Sequence, residues 1–236
     1  IYPNKQQEEL INKIDALNND KSVSGIILQL PLPKHINEKK IISSISPKKD
    51  IDCLTFVNQG KLYMGEETFM PCTPKSILTI IKSLNINLEG MEVVVVGRSN
   101  IVGKPAAALM LKENCTVTIC HSKTKNLKEK IKLSDIVVTA VGKANFLGVD
   151  DFSDNTTIID VSINFNEFGK MCGDVSKEDY DAVSQVLEMH DVLASCWSTP
   201  YFEEFLEQIK NIELCIGHLN WLQSLKMHHG LQLKKS

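Results

Sequence analysis

The chain has almost no net charge. Its 26 Lys and Arg are set against 29 Asp and Glu, a formal −3 at pH 7. So small an excess gives no reason to expect nucleic acid or an anionic membrane as an obligate partner. Any apolar run long enough to span a bilayer is also missing. No secretory leader pattern is visible, although a chain opening on Ile1 gives no basis for judging targeting. The seven cysteines are too few and too scattered for a disulfide framework, and the lack of a C-x-x-C pair argues against a zinc ribbon. Cys115 and Cys120 flank an apolar run and are expected to be small buried hydrophobes. A reducing compartment fits this usage. The expected location is cytoplasmic, with a mitochondrial one left open. Adjacent His228 and His229 do not share a helix face, so no metal pair is expected there. Internal repeats and low-complexity tracts are absent as well.

What is present alternates helix and strand. Leu10, Ile11, Ile14 and Leu17 fall at helical spacing. Residues 25–30 read as a short buried strand that Pro31 and Pro33 stop. Asn37 and Glu38 can start a helix carrying Ile41, Ile42 and Ile45, and Pro47 ends that stretch. Lys34, Lys39, Lys40, Lys48 and Lys49 read as a solvated face, with attraction of an anionic substrate tail as the second reading. At Pro71-Cys-Thr-Pro74 a domain boundary is expected, with Thr73 as N-cap and Pro74 at the first helical position.

Residues 91–96 include four consecutive valines, as expected of a parallel strand covered on both faces. A loop over 97–103 and a helix over 105–112 follow. Strands are expected over 115–119, 135–139 and 156–160, with a helix over 126–132. This repetition predicts an open parallel sheet.

The loop after the valine strand, Gly97 to Gly103, sits where dinucleotides dock in such sheets. It is not the G-x-G-x-x-G fingerprint, and a glycine pair six apart is weak by itself. Its place between a strand and a helix start strengthens it, because backbone N–H groups and the helix dipole there favour phosphate. The second strand runs into Cys120-His-Ser-Lys-Thr124, with no acid to bind ribose hydroxyls. Arg98 can instead pair with a ribose 2′-phosphate, and Ser99 and Ser122 can donate to it. That favours NADP over NAD. The competing reading makes Arg98 a surface residue and His121-Ser122 an ordinary turn.

Six motifs occur in order: Gln29-Leu-Pro-Leu-Pro33, Lys49-Asp-Ile-Asp52, Pro71-Cys-Thr-Pro74, Gly97-Arg-Ser-Asn-Ile-Val-Gly-Lys-Pro105, Cys120-His-Ser-Lys-Thr124 and Asp160-Val-Ser-Ile-Asn164. Together the sequence resembles the bifunctional methylenetetrahydrofolate dehydrogenase/methenyltetrahydrofolate cyclohydrolase family, as far as about Val192. The resemblance implies an α/β fold: part of an N-terminal α/β catalytic domain (1–70), then a C-terminal Rossmann-type parallel-sheet domain (71–192). A divergent tail (193–236), expected to be helical, completes the chain. It implies an active site in the cleft between the domains and a homodimer. The implied reaction is NADP-dependent oxidation of methylenetetrahydrofolate to methenyltetrahydrofolate, then hydrolysis to 10-formyltetrahydrofolate. Tetrahydrofolate derivatives are the implied small-molecule partners. Gly97, Arg98, Ser99 and Ser122 match the positions that bind the adenosine ribose and its phosphate, and Ile163 matches one beside the cofactor. Gln29 matches the residue that orients a catalytic lysine, and Asp52 the carboxylate that anchors the pterin.

The sequence also departs from the family. The Tyr-x-x-x-Lys motif upstream of the first helix is not in this chain, and Tyr2 with Gln6 is not a displaced copy. The glycine-rich loop expected after Pro200 is replaced by an amphipathic segment. Cys53 and Ser162 stand where the family usually has glycine, and both are expected to crowd the site. On these grounds this polypeptide is expected to lack cyclohydrolase activity and to have at most weak dehydrogenase activity. An NADP-binding pseudoenzyme or regulatory subunit of the same fold is the alternative.

Overall fold

A computed structural model describes residues 3–176, 185–188 and 213–215. The chain divides into two compact units, Ile1–Asn58 with Gln208–Ser236, and Gln59–Glu207.

In the first unit, α1 (Pro3–Asn19) buries the residues that its periodicity marks, Leu10, Ile14 and Leu17. They pack with Val23, Ile26, Leu28, Ile41, Ile45 and Leu54 in one core. Strand β1 (Ile26–Leu28) supplies two of those positions. Helix α2 (Glu38–Ser44) starts at Asn37, whose side chain accepts from the Lys40 N–H at 3.1 Å. The lysine cluster is not uniformly a solvated face. Lys49 is half-buried, and its ammonium donates to the carbonyls of Leu17 and Asp20, each at 2.6 Å. It therefore satisfies carbonyls at the end of α1 that have no partner within the helix.

One expectation, Thr73 as N-cap with Pro74 first in the helix, needs correction, and one helix is new. Helix α4 (Cys72–Ser83) starts two residues before Pro74, with Pro71 at the N-cap and no side-chain cap. The first intrahelical bond runs from Lys75 N–H to Pro71 O at 3.0 Å. The N–H groups of the first turn have no intrahelical acceptor, so proline at the third position loses nothing. Helix α3 (Phe56–Met64) has no counterpart in the sequence reading. Most of its large apolar side chains are exposed, Met64 by 77%, so it lacks the buried stripe that periodicity detects.

The second unit is built on a sheet of β2 (Glu92–Val96), β3 (Thr116–Cys120), β4 (Ile136–Thr139), β5 (Thr157–Asp160) and β8 (Gln185–Glu188). All neighbours are parallel, in the order β3-β2-β4-β5-β8. The four valines of β2 are all buried, each contributing about 1.5–3 kcal/mol. Val94 and Val96 face a core with Ile131, Val137, Leu147 and Ile158. Val93 and Val95 point to the opposite face. Helix α5 (Gly103–Lys112) packs on β2 and β3, and α4 packs on α5. Helix α6 (Leu127–Lys132) buries Ile131. A short antiparallel hairpin, β6 (Asn164–Phe165) with β7 (Met171–Cys172), follows β5. The hairpin and β8 went unanticipated because pieces of two to four residues carry no measurable period. Cys53, Cys115, Cys120 and Cys172 are buried free thiols, as expected of a pair flanking an apolar run, whereas Cys72 is exposed.

The expected helical tail lies outside the described residues, apart from β9 (Glu213–Cys215), which pairs parallel with β1. His228 and His229 lie outside them too. No helix among the described residues is long and apolar enough to cross a membrane. Among the same residues, no group of three His, Cys, Asp or Glu could hold a metal.

Candidate functional site

The sheet brings four loops to one edge at one level. Val96 is in register with Cys120 on one side and with Thr139 on the other, and Thr139 with Asp160. The ladder continues one residue further: Gly97 N–H donates to Cys120 O, Ala140 N–H to Val96 O and Val161 N–H to Thr139 O, at 2.9–3.0 Å. The chain turns from β2 out to β3 on one side and returns to β4 on the other. That crossover between β2 and β4 is where ligands of open parallel sheets bind. Ser122 follows β3, Gly97, Arg98 and Ser99 follow β2, and Ile163 follows β5. The strands carrying Ser122 and Ile163 are three spacings apart, about 14 Å at ~4.8 Å per spacing. The edge thus offers the length that an extended dinucleotide needs.

The spacing of the glycine pair has a steric cause. Gly97 has φ 142°, and a Cβ there would lie 2.5 Å from the Ala140 carbonyl oxygen. A Cβ on Gly103 would collide with the Gly97 carbonyl. The loop therefore folds back on its own start, and only glycine permits it. Ser99 Oγ accepts from the N–H groups of Val102 (3.1 Å) and Gly103 (3.3 Å), and Lys104 N–H donates to Ser99 O at 3.1 Å. This leads the chain into α5, whose N-cap Val102 has no side-chain cap of its own. A hydroxyl has two lone pairs and one proton, so Ser99 keeps its O–H as a donor. Arg98 is exposed and makes no ion pair among the described residues.

After β3 the turn is closed by His121 and Thr124: Thr124 N–H donates to His121 O at 2.8 Å, and His121 N–H to Thr124 Oγ1 at 2.8 Å. The turn reading of this segment thus holds for its frame, and the same frame leaves Ser122 exposed. Ile163 is 55% exposed.

Two buried carboxylates hold the residues on either side of Ile163; Asp160 entered the sequence reading only as the start of its motif, and Asp174 not at all. Asp160 accepts from Thr139 Oγ1 and Ser162 N–H, both at 3.2 Å, and from Val175 N–H at 2.8 Å. Burial raises its pKa, and the Asp174 charge adds to that, against the backbone hydrogen bonds. Asp174 is fully buried. Its Oδ2 accepts from Val141 N–H and Ser162 Oγ, both at 2.7 Å. Its Oδ1 accepts from Lys143 N–H at 2.8 Å and Asn164 Nδ2 at 3.0 Å. Ser162, which replaces a glycine of the family pattern, lies half-buried within this network and accepts from Gly142 N–H at 3.0 Å. The one signal available was Asp174 itself, an acid directly after Met171-Cys-Gly.

In the first unit, Gln29 lies exposed just past β1, and its amide donates to Leu30 O at 3.2 Å. Asp52 is half-buried in the turn that follows the parallel bridge between Ile26 and Asp50. Asp50, also missed, organises that turn. It is 1% exposed and accepts from Leu54 N–H (2.9 Å), Thr55 N–H (2.8 Å), Thr55 Oγ1 (2.7 Å) and Asn58 Nδ2 (3.0 Å). Cys53 lies between with φ 54°, the left-handed region that favours glycine. The need for glycine at this position is therefore a backbone one, and the Cys53 side chain is fully buried. Burial pushes its thiol up to about 12, and the charges of Asp50 and Asp52 push in the same direction.

An open parallel sheet, with a glycine-closed loop at its crossover and a helix start behind it, defines a dinucleotide-binding domain. Comparison with known proteins narrows the class. The family model for the NAD(P)-binding domain of tetrahydrofolate dehydrogenase/cyclohydrolase matches residues 71–189, and the model for its catalytic domain matches residues 2–52. The chain belongs to the tetrahydrofolate dehydrogenase/cyclohydrolase family. It is 61% identical over 176 residues to the bifunctional protein FolD of Clostridium botulinum strain Alaska E43, covering 75% of this chain and 62% of that protein. The crystal structure of the bifunctional FolD of Campylobacter jejuni is similar with a TM-score of 0.75 at 41% identity, over 77% of this chain and 65% of that one. The Trypanosoma brucei FolD, solved with NADP cofactor and inhibitor, gives a TM-score of 0.69 at 31% identity, over 77% of this chain and 64% of that one. The chain thus spans somewhat less than two thirds of the length of each.

Proposed function

We propose that the protein oxidises methylenetetrahydrofolate to methenyltetrahydrofolate with NADP, and that hydrolysis to 10-formyltetrahydrofolate belongs to the same protein. The observation that carries this reading is the loop 97–103, closed by two glycines at the β2/β4 crossover with an exposed guanidinium beside it. Gly97, Arg98 and Ser99, with Ser122 on the neighbouring strand, hold the adenosine ribose and its 2′-phosphate. A bidentate guanidinium and two hydroxyl donors suit a phosphate dianion, and residues 120–124 hold no acid that would repel it. The T. brucei relative crystallised with NADP supports the same cofactor. Ile163 borders the nicotinamide, which when bound accepts the hydride leaving the methylene carbon.

In the first unit, Asp52 is assigned the pterin and Gln29 the orientation of a proton-transferring lysine. A pterin presents adjacent N–H donors, and an ionised carboxylate held in a rigid turn accepts from them selectively. Asp50 supplies that rigidity. The working division is a folate-binding catalytic domain over 1–70, an NADP domain over 71–192 and a separate tail over 193–236. The protein is proposed to act as a cytoplasmic homodimer. Calorimetric titration of the full chain with NADP, and separately with an unreactive folate analogue, tests both half-sites without requiring turnover. Heat from each supports the reading. A chain that takes up neither overturns it.

A further inference from the structure

We infer that Asp174 is a positioning residue for the end of the sheet edge that Ile163 marks, acting through Ser162 and Asn164. The inference rests on the dinucleotide reading above. The carboxylate has no solvent access, yet it receives four donors from two different loops. Val141 and Lys143 N–H come from the loop after β4, and the side chains of Ser162 and Asn164 from the segment after β5. Gly142 N–H, between the first two, ends on Ser162 Oγ. Three consecutive backbone N–H groups are thus taken up by one Asp–Ser pair, and this dictates the course of residues 141–143. Gly142 has φ 73°, which such an inward turn requires. On the outer side Val141 is 39% and Ile163 55% exposed. The backbone is pinned from below while these apolar side chains remain presented to a ligand.

The anchor is itself anchored. Asp160, at the end of β5, accepts from Val175 N–H, and Gly173 lies so close to that carboxylate that a Cβ would collide with it. Asp174 is held between these two residues. Among the described residues, the donors to its carboxylate lie at 141, 143, 162 and 164, none in the 97–103 loop or the 121–124 turn. Its influence should therefore divide the dinucleotide in two, setting the nicotinamide half and sparing the adenosine half.

Asp174→Asn is a sharp probe. Each carboxylate oxygen accepts one backbone N–H, so in either orientation the new amide NH2 confronts a backbone donor. The full chain is titrated with NADP and with 2′,5′-ADP, which carries the adenosine half alone. Asp174→Asn should weaken NADP on the order of ten-fold and leave 2′,5′-ADP within about two-fold, as one mispaired contact to a charged group implies. Ser162→Ala, which removes one hydroxyl and leaves the carboxylate, should shift NADP in the same direction by less. If Asp174→Asn abolishes both affinities through misfolding, Ser162→Ala decides: a selective loss of NADP supports the inference, and equal or absent effects on the two ligands overturn it. Equal weakening by a folded Asp174→Asn, or none, also overturns it. A wild-type chain that binds neither ligand removes the dinucleotide reading itself, which is distinguishable from a failure confined to Asp174.

Discussion

Gly103 packs its Cα against the carbonyl oxygen of Gly97, leaving no room for a side-chain carbon. This contact closes the loop that carries Arg98 and Ser99. Gly103→Ala should push the loop open and lower NADP affinity by at least about ten-fold, because displacements of an ångström are costly at a positioned site. Gly60 in α3, with open space around its Cα, is the control. Gly60→Ala should leave NADP binding unchanged and raise stability by about 0.5–1 kcal/mol. Isothermal titration and thermal melts of both variants check this, and an unaffected Gly103→Ala would remove the steric account of the glycine spacing.

Arg98→Ala should weaken NADP more than NAD. The side chain is exposed, so the selectivity change is expected on the order of ten-fold, less than a buried pair would give. The ratio of the two dissociation constants is the measurement. Equal weakening of both cofactors would mean that the guanidinium does not read the 2′-phosphate.

The neighbouring acids Asp50 and Asp52 should separate cleanly. Asp50→Ala leaves the amides of Leu54, Thr55 and Asn58 without their buried acceptor and should cost about 3 kcal/mol or more in stability. Asp52→Ala should lower affinity for a folate analogue at a much smaller stability cost and leave NADP binding intact. Denaturant melts and titrations on both variants test the split. Loss of NADP binding alone in Asp52→Ala would contradict the assignment.

Cys53 should be inert where Cys72 is reactive. With its thiol pushed up to about 12, Cys53 stays protonated at pH 8, and it is fully buried. Alkylation of the folded protein followed by peptide mapping should label Cys72 well before Cys53. A raised folded-state value also favours the neutral thiol. The stability it contributes is complete below the unfolded value near 9 and is lost as pH rises toward 12. Cys53→Gly should therefore melt with a shallower decline above pH 9 than the wild type, and parallel declines would place the titration elsewhere.

Much of this architecture is legible in the sequence because burial and period coincide. The four valines of β2, the spacing of Leu10, Ile14 and Leu17, and the Asn37 cap each state their structure locally. The placement of Gly97, Arg98, Ser99 and Ser122 at one sheet edge was legible because strand ends in a parallel sheet converge there. Asp50 and Asp174 were not. Their meaning lies in donors between 4 and 33 residues away, which no local pattern displays. The backbone conformation at Cys53 was hidden for a related reason: a left-handed φ leaves no trace in a side chain's size. Helix α3 escaped because, Leu62 apart, its large apolar residues are exposed.

The parallel strands send the loops after β2, β3, β4 and β5 to one rim, and the opposite rim carries the connections that lead into those strands. Asn155, exposed in the turn before β5, sits on that far side. A single dye attached there would sit at the end of the sheet away from the loops proposed to take the dinucleotide, so a fluorescent sensor could be installed without crowding that edge.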